Sequence, residues 1–265
     1  MKAYDFSYGD KKLSDFGFIL CNFGGSNGLE TVSDGCQITF DTVPVIGGSK
    51  HNLISTKYEE CLETVWQICK YSCEGDIQEI SESEHREITK WLNRKKFLKL
   101  KILDESHIDI YYEAAFNVSK INIDGKLFGF EIEVKTNTPF ALKEPRTMNI
   151  KNLVENGKHS INDISYEEGY IYPYVEIVVS QDGNLNIHNA IEDRNTYIAN
   201  CVSGEVITMD YPVIQSSISS HNIQNDFNWN FFRVANTFDN SRNDLTISIP
   251  CEIKMTYSPI VKVGL

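Results

Sequence analysis

Apolar and polar residues alternate at a period of two through much of the chain, the spacing that puts successive side chains on opposite faces of a strand. Leu98, Leu100 and Ile102 fall on one face with Lys99 and Lys101 on the other, and Ile108, Ile110 and Tyr112 repeat the pattern. Ile121 and Ile123 run into Asp124-Gly125, after which Phe128, Phe130, Ile132 and Val134 alternate with Gly129, Glu131 and Glu133. Both central residues of an Asp-Gly turn tolerate positive φ, so a tight β-hairpin is predicted there. Farther on, Tyr174, Glu176 and Val178 alternate with Val175, Ile177 and Val179 as far as Asp182-Gly183, and Leu185 and Ile187 follow, a second hairpin candidate. Residues 205–209 and 231–234 read as short strands. Leu245, Ile247, Ile249, Cys251, Ile253, Met255 and Tyr257 share one face. Pro250 lacks a ladder donor, so this run is either an edge strand or two strands meeting at the proline.

One segment has a helical period. Ile88, Trp91 and Leu92 stand at i, i+3, i+4 within residues 83–93. Ser83 opens the cap region, Glu84 and Glu87 occupy the first turn, and Arg94, Lys95 and Lys96 follow the end. Residues 58–70 fit either a helix face (Leu62, Val65, Trp66, Cys69) or a strand face (Leu62, Thr64, Trp66, Ile68), and periodicity does not choose. A composition break falls at Thr138-Pro139-Phe140-Ala141, and residues 143–170 are polar with irregular alternation. The expected architecture is mainly β in two domains, residues 1–141 and 142–265. The first is β-sandwich-like and carries one helix and the hairpin; the second is a β-sandwich or jelly-roll-like unit of many short strands.

Composition narrows the function classes. Hydrophobic residues at 41% and charged residues at 23% describe a globular chain, not a disordered one. No apolar run approaches the roughly 20 residues that span a bilayer. The start, Met1 to Phe6, carries Lys2 but no apolar segment or small-residue cleavage site, so synthesis in a cytoplasm without an export signal is expected. The seven cysteines (21, 36, 61, 69, 73, 201, 251) form no CxxC pair, and free, packed thiols are expected. The net charge of −12 is shared evenly along the chain, leaving no basic domain for gripping nucleic acid. The single basic run, Arg94, Lys95, Lys96, Lys99 and Lys101, is explained by a helix end followed by an alternating strand.

Candidate chemistry is sparse. Gly24-Gly25-Ser26-Asn27-Gly28 lacks the lysine of a P-loop and the spacing of a dinucleotide turn, and Gly47-Gly48-Ser49 is equally uninformative. The histidines at 51, 85, 107, 159, 188 and 221 make neither HxH nor HExxH, and no GxSxG elbow occurs. No catalytic, cofactor or metal residues are therefore assigned, and a non-enzymatic role is expected. Tyr170, Tyr172, Tyr174, Trp229, Phe231 and Phe232 form an aromatic group in the second half. Core or subunit packing is the favoured reading, because Tyr172 and Tyr174 share strand parity with Val178. The rival is a carbohydrate-binding face with Tyr172, Tyr174 and Trp229 as contacts to host-wall glycan.

The ordered motifs resemble siphophage distal tail proteins over nearly the whole chain. Phe6-Ser7-Tyr8-Gly9 followed by Leu13-Ser14-Asp15-Phe16-Gly17-Phe18-Ile19-Leu20 is similar to that family's opening. Arg86-Glu87-Ile88, Trp91-Leu92, Phe97-Leu98-Lys99-Leu100 and Phe128 to Val134 follow in the family's order, and Pro139-Phe140-Ala141 resembles its interdomain junction. Tyr172 to Ile177, Gly204 to Asp210, Leu245 to Ile249 and Met255 to Pro259 resemble the second half, although Arg242-Asn243 stands where Gly-Asn is usual. The resemblance implies a ring-forming, commonly hexameric amino-terminal domain and a galectin-like carboxyl-terminal domain. It implies a location at the virion tail tip, whether the gene is carried by a free phage or a prophage. The implied partners are further copies of the chain and the tail-tube, tape-measure and tail-tip or baseplate proteins, with the genome passing through the ring. Ile88, Trp91, Leu92, Asp124 and Gly125 are the expected contacts between subunits.

Overall fold

Alternating runs become antiparallel strands throughout the computed structural model, which describes residues 5–23, 35, 37–71, 76–237 and 239–265. The glycine stretch 24–28, Cys36 and Cys73 lie outside the described residues. The chain divides into two units, residues 1–143 with 261–265, and residues 144–260.

The first unit contains β1 (Phe6–Tyr8), β2 (Lys11–Lys12), β3 (Ile19–Cys21), β4 (Ile38–Pro44), β5 (His51–Tyr58), β6 (Glu63–Cys69), α1 (Glu82–Leu92), β7 (Leu98–Ile102), β8 (Ile110–Ile123), β9 (Lys126–Thr136) and β10 (Ala141–Lys143). The order β2-β1-β7-β8-β9-β6-β3 makes the main sheet, with β10 added beside β8. Pairing with β9 decides the ambiguous segment: Trp66 lies opposite Ile132 and Ile68 opposite Phe130, so residues 63–69 are strand. The predicted hairpin joins β8 and β9, with Asp124 and Gly125 at φ 51° and 81°. Ile108 departs from expectation. It precedes β8 at the end of a short 3-10 turn and is 70% exposed, so it does not share the face of Ile110 and Tyr112.

The helix starts at Glu82, one residue before its expected position, because Ser81, not Ser83, is its cap. Ser81 Oγ accepts from the Glu84 N–H, while the Glu84 carboxylate accepts from the Ser81 N–H at 2.9 Å. Lys70 also pairs with Glu84, and the Lys70 ammonium together with the Ser81 donors brings the carboxyl's pKa down to about 2. The stripe Ile88, Trp91 and Leu92 is buried in the unit's core. The Trp91 ring stacks on Phe16 and Phe6 at 4.6 and 5.7 Å between ring centres, and its N–H donates to the Tyr8 carbonyl at 3.0 Å.

The second unit contains β11 (Arg146–Asn152), β12 (Gly157–Asn162), β13 (Gly169–Ile171), β14 (Tyr174–Val179), β15 (Gly183–Asn189), β16 (Arg194–Cys201), β17 (Val206–Asp210), β18 (Val213–Ser216), α2 (Ile223–Asp226), β19 (Val234–Asn236), β20 (Arg242–Ile247) and β21 (Cys251–Tyr257). Sheet β11-β21-β14-β17-β18 and sheet β12-β20-β15-β16 share one core, to which Val175, Ile177 and Ile253 contribute from the first and Leu185, Ile187 and Leu245 from the second. This is a β-sandwich. After it, β22 (Ile260–Val261) pairs with β10, and the Tyr112 hydroxyl donates to the Gly264 carbonyl at 2.6 Å, so the chain's last residues belong to the first unit.

Three expectations change, and one open choice is settled. Residues 143–170 carry three strands, whose polar outward faces hid their alternation. Asp182-Gly183 is not a hairpin turn: β14 and β15 lie in opposite sheets, and the chain crosses between them at that point. Residues 231–233 precede a strand that begins only at Val234. The long run at the tail is two strands, β20 and β21, again in opposite sheets, with Pro250 where no ladder donor is needed.

The α1 docking predicts a sharp contrast between neighbouring substitutions. Leu92→Ala should lower the unfolding free energy by about 2–5 kcal/mol, because the buried site loses both transfer energy and packing. Lys90→Ala, on the exposed face, should stay within about 0.5 kcal/mol. Urea denaturation of both variants checks this.

Candidate functional site

In the first unit, β4 and β5 form a two-stranded sheet that pairs with no other strand among the described residues. Sequence reading passed over them, although two β-prone runs flank Gly47-Gly48, the expected mark of a hairpin. That glycine pair, uninformative as a motif, is the turn: the Val45 N–H donates to the Lys50 carbonyl at 2.9 Å and Gly47 has φ 81°. A bulge interrupts the ladder between Asp41 and Thr42. Tyr58 meets Phe140 edge-on at 4.8 Å at the arm's base. Beyond that point the arm exposes apolar groups on both strands, with Phe40 61%, Leu53 58%, Ile54 68% and Ile46 fully accessible. A two-stranded hairpin is marginal alone, and exposed apolar strands normally meet a partner.

The sequence-derived contact residues separate into two groups. Asp124 and Gly125 sit exposed at the tip of the β8–β9 hairpin, next to the 44% exposed Ile123. Ile88, Trp91 and Leu92 are instead enclosed by their own unit, and α1 turns Glu82, Arg86, Glu87 and Lys90 outward.

The second unit holds a buried cluster of ionisable groups that sequence spacing did not reveal. Glu205 is fully buried, accepting from Ser216 Oγ at 2.5 Å and from the Val202 N–H at 3.0 Å, with His221 Nδ1 at 2.6 Å. The Asp226 carboxylate lies 3.2 Å from His221 Nε2, out of line for a hydrogen bond. Burial pushes the Glu205 pKa up, but the Ser216, Val202 and His221 hydrogen bonds together outweigh it and hold the carboxyl below its ordinary value. Nearby Cys201 is no nucleophile: burial, with Glu205 and Asp226 adding to it, raises its thiol to about 11. The arrangement ties the 202–205 turn to the 216–221 segment, which is a strut and not a reaction centre. Among the described residues, no group of His, Cys, Asp or Glu is disposed to hold a metal ion.

The aromatic group resolves into a connected cluster with one outlier. Tyr172 stacks on Tyr211 at 4.2 Å, Tyr170 meets Tyr172 edge-on at 5.5 Å, and Tyr211 meets Phe231 at 5.4 Å. Trp229 lies against Phe227 and Phe231. Phe231 and Phe232 are buried, whereas Tyr170, Tyr211 and Trp229 are each more than half exposed. Tyr174 stands apart on the outer face of β14, opposite Thr256 on β21. Its parity with Val178 proves to be outward: Val175, Ile177 and Val179 make the core, so packing in the core is not the role of Tyr174.

The family description "Phage tail protein N-terminal domain" matches residues 1–138, and "Phage tail C-terminal domain" matches residues 140–257. Among solved structures, the crystal structure of the Dit protein of phage SPP1, titled a paradigm of the hub adsorption apparatus in Gram-positive infecting phages, is similar in fold. The TM-score is 0.61 at 11% identity, covering 97% of this chain and 99% of that one. No curated protein sequence matches the chain.

The buried strut predicts acid sensitivity. A depressed folded-state pKa means that the stabilisation by Glu205 is complete above the carboxyl's ordinary value of 4.5 and is lost as pH falls through the lower folded value. Glu205→Gln should therefore melt lower than the wild type at neutral pH, with the gap narrowing below pH 4.5. Melting curves across that range check it, and a gap independent of pH would contradict the assignment.

Proposed function

The chain belongs to the phage tail protein family whose two domains were matched above, and on that premise we propose that it is the distal tail hub of a long-tailed phage. In this reading residues 1–141 assemble with further copies of the chain into a ring, expected to be a hexamer. The second unit, residues 144–260 and not the expected 142–265, forms a peripheral, galectin-like domain. The ring joins the tail tube to the tail-tip or baseplate proteins, stands next to the tape-measure protein, and lets DNA pass without sequence-specific binding. The shared fold with the SPP1 protein supports the reading, since that protein is described as a hub.

The observation that carries the proposal is the β4–β5 arm. An apolar ribbon exposed on both strands is costly in a free subunit and useful in one that inserts it against a neighbour. The tip of the β8–β9 hairpin, Asp124-Gly125, is the second proposed contact. Ile88, Trp91 and Leu92 serve the interface only by holding α1 against the sheet. A net charge of −12 also suits a conduit, because negative walls repel DNA phosphates and limit adhesion during ejection.

Phe40→Asp combined with Ile54→Asp should abolish ring formation while leaving the melting temperature within a few degrees, because both side chains are already exposed. Mass photometry of both proteins, with negative-stain images of assembled tails, tests this. Rings that persist in the double variant would remove the arm from the interface, and tails lacking this chain at the tip would end the hub reading.

A further inference from the structure

The aromatic cluster of the second unit has a construction that the hub role does not require. Trp229 sits at φ 59°, a left-handed conformation that costs a bulky residue energy and persists only where neighbours impose it. Asn228 imposes it. Its side-chain carbonyl accepts from the backbone N–H groups of Tyr197 at 3.2 Å and Asn230 at 3.1 Å, while its amide donates to the Asn195 carbonyl at 3.0 Å. The result is an indole 56% exposed, supported from beneath by Phe227 and the buried Phe231. Phe231 also meets Tyr211 edge-on at 5.4 Å, and Tyr211 is 55% exposed and held flat against Tyr172. Tyr170, 54% exposed, is covered on one face by the Arg233 guanidinium at 3.8 Å.

Charge narrows the ligand. Arg233 is paired with both oxygens of Glu192, and the second cation beside the cluster, Arg194, is turned to the Phe231 carbonyl at 3.5 Å, so both guanidinium groups are engaged within the unit. An anionic ligand would have to break that pair and approach an acidic chain. What remains are fixed aromatic faces, with the Asn228 side chain beside Trp229 and the Arg233–Glu192 pair beside Tyr170. Flat rings match the C–H face of a pyranose, and amide, carboxylate and guanidinium groups match its hydroxyls. Rings already fixed in place lose little entropy on binding, which matters for a weakly bound, hydrated ligand.

We propose that Trp229, Tyr211, Tyr172 and Tyr170 form a binding site for a neutral oligosaccharide, with Arg233, Glu192 and Asn228 as hydrogen-bonding groups. The site lies wholly within the second unit and does not depend on ring assembly.

The chain carries its own reporter. Of its three tryptophans, Trp66 and Trp91 are buried and only Trp229 is exposed. Titrating the full-length protein with chitotetraose, cellotetraose, laminaritetraose and maltotetraose should give, for at least one, a saturable blue shift of tryptophan emission and protection from acrylamide quenching. Tetragalacturonate, the anionic control, should give neither. Trp229→Gly removes the ring while leaving a residue at ease with positive φ. Measured by calorimetry, it and Tyr211→Ala should each weaken binding by about tenfold or more, the scale expected when one stacked ring is lost. Unchanged melting temperatures establish that the variants fold. Absence of saturable binding to all four neutral sugars overturns the proposal, as does binding that survives Trp229→Gly. Protection of Trp229 that grows with protein concentration alone also overturns it, by making this face a contact between copies.

Discussion

Trp91 enters the core of the first unit from α1 and meets Phe16, Phe6 and Tyr8, residues that lie more than seventy positions earlier in the chain. Its N–H donates to the carbonyl of Tyr8, so a large apolar ring is buried without leaving a polar atom unpaired. The same contact gives an eleven-residue helix, too short to be stable by itself, a reason to form. It also presses β1 against β7, where Phe6 lies opposite Ile102 and Tyr8 opposite Leu100. The order of the main sheet depends on this long-range closure, and with it the position from which the β8–β9 hairpin projects.

The second unit solves a different problem, that of covering two sheets with one another. Its chain changes sheet between β14 and β15 and again between β20 and β21, each time within a few residues. Every crossing leaves backbone groups away from a ladder, and local bonds satisfy many of them. The Ser180 N–H donates to the Pro250 carbonyl at 3.0 Å, where the two crossings meet. Ser248 Oγ accepts from the Asn186 N–H at 2.7 Å and donates to the Asn184 carbonyl at 2.8 Å. Glu205 does comparable work with a charge, fastening the turn before β17 to the end of β18 at Ser216 and to His221 beyond it. A buried carboxylate of this kind adds stability only while its donors remain, which is why its role is structural and sensitive to acid.

Taken together, the two units leave function to their surfaces. The first holds its helix stripe inward and sends an apolar ribbon outward; the second carries fixed aromatic rings on a sandwich. A tail component is built by contacts between chains, and exposed apolar and aromatic groups are what such contacts use. The acidic charge has no single focus and leaves no basic domain for gripping nucleic acid.

The sequence by itself determined what local physics controls. Period-two alternation identified β7, β8, β9, β14 and the two tail strands; Asp124-Gly125 set a hairpin; Ile88, Trp91 and Leu92 set the buried face of α1. The ordered motifs also identified a phage tail protein, as the family matches bear out. The tertiary structure alone decided what depends on partners distant in the chain. Residues 63–69 are strand because β9 pairs with them, since both periods fitted the isolated segment. Asp182-Gly183 joins opposite sheets and not a hairpin, because turn chemistry fixes a local bend but not which strand lies alongside. The outward face of Tyr174 reflects the same limit: alternation divides a strand into two faces, and only packing against the other sheet selects the buried one. Glu205, His221 and Asp226, like Trp229 and Tyr211, were invisible as sites because residues far apart in sequence become neighbours only when the sandwich closes.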